Sequence, residues 1–283
     1  MGVQSFIPTV WAAALLAALK KNHVFAQPGV VNTDYAGEIL KQGDQVKINF
    51  IGDITVFDVT RNADIPDPET LDTATTTLVI DQAKGFNFAV DDIDQVQVKG
   101  DLIEKAMIEA SYGLRDKADS YIAGFYTEAA SANLIGTDAV PIVPTSTTAY
   151  EYLTDLFTKL DEANVPSGGR WCVVPPWFHG LLRKDKRFIE AGTAQTDAVL
   201  RNGMIGEAAG FQVLKSNNVR NTAGTKYKIM AGHEMAISYA DQIVSVEAFR
   251  MEKRFSDALK GLHVYGSKVV RPQALAVLTA SQT

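Results

Sequence analysis

Residues 101–130 read DLIEKAMIEASYGLRDKADSYIAGFYTEAA. Ile103, Met107, Ala110, Leu114, Ala118, Tyr121, Phe125 and Ala129 recur there at steps of three and four. That spacing predicts an amphipathic helix over 101–132 with one apolar face. Asp101 is a candidate N-cap, and Glu104 three residues later completes a capping box. Gly113 and Gly124 weaken the helix locally. At ~1.5 Å rise per residue it would be ~45–50 Å long, beyond the usual globular helix and suited to a structural spine. Periodicity alone fits a core helix of an α/β enzyme equally well.

On the N-terminal side, residues 44–99 read as strands. Val46, Ile48 and Phe50 alternate with Lys47 and Asn49, the period of a half-buried strand. Ile54–Val59 and Thr75–Ile80 are rich in strand formers, whereas Asn62, Pro66, Asp67 and Pro68 forbid regular structure between them. The expected object is a long two-stranded loop with an acidic tip: Arg61 followed by Asp64, Asp67, Glu69 and Asp72. It holds too little apolar material to stand alone, so its tip should lie across a neighbouring chain.

Residues 1–40 read as an arm. A short helix from Thr9 to Lys20 would dock through Val10, Trp11, Leu15 and Leu19. Gln27-Pro28-Gly29 and a polar stretch through Asp34 follow; with little to bury alone, the segment needs another surface, either its own body or a neighbouring chain. The apolar run 11–19 has the length of a signal-peptide core, but Lys20 and Lys21 follow it where a signal would place charge before it.

On the C-terminal side, Pro141 and Pro144 break the chain, and Thr147 or Thr148 caps a second amphipathic helix, Tyr150–Ala163. A compact α/β region follows. Trp171–Val174 is a short buried strand, and Pro176 opens a helix to about Leu182. Phe211–Leu214, Lys226–Ala231, Met235–Ser238 and Ile243–Arg250 are strand candidates, and 264–279 is extended around Arg271-Pro272.

The 283 residues carry 46% hydrophobic and 21% charged side chains and a formal net charge of -6. A chain that gripped DNA through its phosphates would carry a basic surplus or stripe, so any nucleic acid here is enclosed and not read. Basic residues gather in two local clusters: Arg183, Lys184, Lys186 and Arg187, then Arg250, Lys253 and Arg254. At least one cluster should face an acidic surface of an adjacent subunit, with the loop tip as the leading candidate. Cys172 is the single cysteine, which excludes an internal disulfide and a cysteine-rich metal site. No apolar run approaches the ~18 residues of a membrane span.

Catalytic signals fail one by one. His23, His179, His233 and His263 have no second ligand at metal spacing. His233-Glu234 starts like a zinc-protease helix, but Ile237 stands where the second histidine belongs. Gly203, Gly206 and Gly210 fit neither a dinucleotide turn nor a P-loop. Cys172 beside Trp171 reads as a small core residue. The sequence assigns no catalytic residue, no cofactor and no metal site, and the chain reads as a non-enzyme.

Three further segments carry a resemblance. They are the opening Phe6-Ile7-Pro8-Thr9-Val10-Trp11; the stretch Asn202-Gly203-Met204-Ile205-Gly206 with Ala209-Gly210-Phe211, Val213 and Ser216-Asn217-Asn218; and the ending Tyr265-Gly266-Ser267-Lys268-Val269-Val270-Arg271-Pro272 with Ala274-Leu275-Ala276-Val277-Leu278. With the order of parts, they resemble the podovirus-type major capsid (coat) proteins of tailed double-stranded-DNA phages. The resemblance implies an α+β fold of the Hong Kong ninety-seven type. Its parts would be an N-arm over 1–40, an E-loop with flanking strands over 41–99, a peripheral domain with spine and second helix over 100–165, an axial domain over 166–245, and return strands over 246–283. It also implies self-association into hexamers and pentamers of an icosahedral head enclosing double-stranded DNA, in the virion after assembly in the host cytoplasm. Portal and decoration proteins would be partners, and a membrane would not. The chain is too short for a large inserted domain or a fused scaffolding segment, so a separate scaffolding protein is expected. No lysine lies between Ile48 and Ala83, so no isopeptide weld through the loop is expected. Two alternatives stay open: an encapsulin-type nanocompartment shell and an α/β enzyme with an unrecognised site.

Overall fold

A computed structural model describes residues 24–34, 43–51, 58–59, 67, 73–91, 102–185, 206–251 and 256–282. The alternation at 46–50 becomes β1 (Gln45–Ile51), which pairs antiparallel with β2 (Thr73–Val79), Gln45 opposite Val79 and Ile51 opposite Thr73. Two residues later the chain re-enters a different sheet as β3 (Gln82–Asp91).

The spine helix α1 runs Leu102–Ile122 and tightens into a 3-10 turn over Ala123–Glu128. Twenty-one residues give about 32 Å, shorter than the repeat through Phe125 and Ala129 predicts. Gly124 stands in the turn where the α-helix gives way, and glycine costs an α-helix about 1 kcal/mol relative to alanine. Met107 and Leu114 on α1 pack against Val246 and Leu259, whereas Ala118 and Ile122 enter the main core.

β4 (Leu134–Ile135), α2 (Ala149–Glu162), β5 (Arg170–Val174), α3 (Pro176–Lys184), β6 (Glu207–Ala208), β7 (Phe211–Lys215), β8 (Asn221–Thr222) and β9 (Lys226–His233) follow. β10 (Ile237–Arg250), β11 (Ser256–Val269) and β12 (Leu275–Ser281) complete the order. One sheet runs β4-β12-β9-β5-β7-β6 with β8 on β9; β5 and β7 are parallel, as are β4 and β12. All five residues of β5 and all seven of β12 are buried, as expected of strands covered on both faces. Leu153, Leu156 and Leu160 of α2 and Phe178 and Leu182 of α3 pack on them.

Arg170 pins α2 to this sheet with a side chain wholly out of solvent. Its guanidinium donates to Pro166 O (2.9 Å), Phe157 O (3.3 Å), Val165 O and Asp161 Oδ1 (2.7 Å), and lies 4.2 Å from the Phe157 ring centre. A buried charge is tolerable because its donors are met this way.

The second sheet, β10-β11-β3, is antiparallel and meets α1 on one face. Two strands expected at 235–238 and 243–250 are one strand, β10, after a 3-10 turn at Glu234–Ala236. The polar pair Asp241-Gln242 reads as a break, but the ladder to β11 carries the strand through with a bulge between Ile243 and Ser245. β11 likewise begins at Ser256, ahead of the extended stretch expected from 264.

Candidate assembly surfaces

The hairpin stands on the face of the second sheet opposite α1. Alternation puts Tyr239 and Tyr265 on the α1 side, with the Tyr265 and Tyr121 ring centres 5.6 Å apart, and puts Ala240 and Val264 on the other. There Val46, Ile48, Leu78 and Ile80 pack on Ala240 and Val264, flanked by Ala83 and Val270. Gly43 N donates to Ile80 O (2.9 Å) and Ile80 N to Asp44 O (3.0 Å), closing the foot of the hairpin. Lys47, between Val46 and Ile48, points to the exposed face of β1, and beyond the foot Asp58, Val59 (75% exposed) and Asp67 are exposed. Arg61, Asp64, Glu69 and Asp72 lie outside the described residues.

Of the two surfaces expected for the arm, the described part of it uses the subunit's own body. The arm's docking residues Val10, Trp11, Leu15 and Leu19 lie outside the described residues, but Val24–Asp34 belongs to the subunit's own core. Phe25, Val30 and Val31 are buried among residues of α1 and the first sheet. Asp119 of α1, itself 1% exposed, accepts the amides of Val24 (2.9 Å), Phe25 (3.1 Å) and Ala26 (3.1 Å). Asn32 then adds to the edge of β10, donating to Ile237 O and accepting from Tyr239 N, both at 2.9 Å. The sequence reading did not name Asp119 as the anchor because it lies 93 to 95 residues away. One sign was available: Asp119 interrupts the apolar seam between Ala118 and Ile122, where a carboxylate needs a partner.

The two basic clusters sit on different elements. Arg183 and Lys184 are exposed in the last turn of α3, a favoured place for cations, while Lys186 and Arg187 lie outside the described residues. Lys184 lines a shallow groove with Pro144, Trp177, Leu181 and Gln282. Burial, then the charges of Lys215 and Arg183, hold the half-buried His179 below its usual imidazole value, so Lys215 joins this positive surface. Arg250 is exposed at the far end of β10; Lys253 and Arg254 lie outside the described residues.

The remaining described histidines and the cysteine make internal contacts. His233 Nδ1 accepts from Met235 N at 3.2 Å, and the buried His263 Nε2 lies 3.3 Å from Asp241 Oδ2. Burial pushes the Cys172 thiol far up, which removes its nucleophilic form. Among the described residues no three histidine, cysteine or acidic side chains converge on a metal position, and no helix is long and apolar enough to cross a membrane.

This fold recurs in solved structures. The chain is similar to the structure of Mycobacterium phage Che8, with 33% identity over 91% of each chain and a TM-score of 0.74. It shares the fold of the cyanophage P-SCSP1u capsid (16% identity, 89% of this chain and 86% of that one, TM-score 0.67). It shares it too with a virus-like particle from Pyrococcus furiosus (12% identity, 96% of this chain and 99% of that one, TM-score 0.57). No curated protein matches the sequence. The family model described as phage capsid protein matches residues 73–278, and with it the fold is of the Hong Kong ninety-seven type. The chain belongs to the phage capsid protein family.

Proposed function

We propose that this major capsid protein forms hexamers and pentamers of an icosahedral head, each β1–β2 hairpin lying across a neighbouring subunit. The observation that carries this is the hairpin's own packing. Among the described residues its buried side chains are those of the foot, and a two-stranded ribbon does not hold itself together in water. Burial against a neighbour supplies the missing surface.

Around this contact, the acidic tip (Asp64, Asp67, Glu69 and Asp72 beside Arg61) meets a basic surface on the next subunit. Arg183, Lys184, Lys186 and Arg187, or Arg250, Lys253 and Arg254, supply it. Val10, Trp11, Leu15 and Leu19 dock the arm helix on a second surface. The head encloses double-stranded DNA without reading it, in keeping with a net charge of -6. A separate scaffolding protein directs assembly in the host cytoplasm, portal and decoration proteins complete the particle, and the subunit performs no catalysis.

Deleting residues 62–70 tests the hairpin contact. The expected product is a folded subunit that makes no shells; normal shells would refute the contact. Purified particles that hold a protein cargo and no DNA would assign the shell to the nanocompartment class instead.

A further inference from the structure

Ala240 of β10 and Gly266 of β11 are direct cross-strand partners on the face that carries the hairpin foot. Ala240 is fully buried there. Gly266 lies under the end of β2. A Cβ built on it would be driven into the Val79 carbonyl oxygen, 2.9 Å from Ile80 Cα and 3.0 Å from Ile80 Cδ1. Its backbone is not in the left-handed region, so glycine is not there for its conformational range. It is there because backbone approaches backbone.

The obstruction is main chain, which no rotamer change relieves. Any side chain at 266 must lift or tilt the hairpin as a unit, because the two Gly43–Ile80 and Ile80–Asp44 bonds and the β1–β2 ladder tie its strands together. A tilt at the foot is multiplied along the strands toward the tip. We infer that the Ala240–Gly266 saddle sets the angle at which the hairpin leaves the subunit, and through it the angle between neighbouring subunits in the shell. The inference rests on the hairpin contact proposed above.

The test uses the full-length chain with Gly266→Ala, Ala240→Val and the 62–70 deletion beside wild type. Amide exchange on unassembled subunits reports the seat of the foot, and cryo-electron microscopy reports shell yield and diameter. For Gly266→Ala, exchange at Gly43 and Ile80 should rise about tenfold while β9 and β12 stay protected, and shells should fail to close or close at another diameter. Ala240→Val adds bulk among the side chains of the foot cluster and should give the same change in smaller degree. It also carries the test if Gly266→Ala yields no soluble subunit. Wild-type yield and diameter from a subunit with a loosened foot would overturn the inference. So would a foot unchanged in both variants, or global unfolding in both, which would make the saddle a folding feature alone. Normal shells from the deletion would strike the underlying hairpin contact, and this inference with it.

Discussion

Replacing Asp119 by alanine removes the acceptor that holds the chain at Val24–Ala26 against α1. Three amides lose a carboxylate. The Val24 bond is only partly buried, so its amide finds water, whereas those of Phe25 and Ala26 are buried. Each buried donor left unpaired costs about 1–3 kcal/mol, which for two donors gives a loss of about 4 kcal/mol. Asp119→Asn keeps one oxygen but turns an NH2 group toward the donors, and should cost about 1–2 kcal/mol. Against a domain stability of about 5–15 kcal/mol, the alanine variant stays folded but is measurably weakened. Urea unfolding of the unassembled subunit measures it: the midpoint should fall at unchanged slope, and the amides of Phe25 and Ala26 should lose protection. An alanine variant within about 0.5 kcal/mol of wild type, with those amides still protected, would refute the reasoning.

Gly210 has φ +78°, and a Cβ there would enter the Phe157 ring, so Gly210→Ala should lower stability by about 2 kcal/mol, read by thermal unfolding. Hydrogen bonds from Lys228 and then Thr222 hold the Asp138 carboxyl below its usual value. A depressed folded value means that the unfolded state takes up the proton first. The stabilisation is therefore present above the ordinary carboxylate range and lost as pH falls through the folded value. The melting-temperature gap between wild type and Asp138→Asn should accordingly be present at neutral pH and close in acid; a gap that stays constant would contradict the linkage. Arg183→Glu/Arg187→Glu or Arg250→Glu/Arg254→Glu should impair assembly, and wild-type yield should fall as added salt shortens the Debye length from ~10 Å at 0.1 M to ~3 Å at 1 M. Indifference of both doubles and of wild type to salt would leave apolar burial to carry the interface.

Elements with a local signal were legible. Helix α2 was expected at Tyr150–Ala163 and lies at Ala149–Glu162, and Pro176 opens α3 as its fixed φ allows. Strand β5 differs by one residue, Arg170, which the reading left out because a buried arginine has no hydrophobic signature. What failed was long-range. The start of β11 at Ser256 is paired with β3 across more than 150 residues, and that ladder decides a strand that its polar sequence does not announce. The anchoring of Val24–Asp34 depends on one carboxylate in a distant helix. The small size of Gly266 was visible in the sequence, but its reason is the main chain of Val79 and Ile80, which only the fold places above it.

The β10–β11 ribbon and α1 join the same two places. At one end Ile237, Tyr239, Tyr265 and Val269 lie in the main core with Ala118 and Ile122 of α1; at the other, Val246 and Leu259 meet Met107 and Leu114. Two members fixed to each other at both ends form a truss, stiffer in bending than either alone. A shell wall under internal pressure is stretched in its own plane. Both strands of the ribbon run from the body (Ile237 opposite Val269) to the far end (Arg250 opposite Asp257), so a force along its axis is shared by two covalent backbones, whereas a force across it would unzip the ladder rung by rung. Mechanical strength in this subunit is therefore directional, greatest along the line from the body to the far end of the spine.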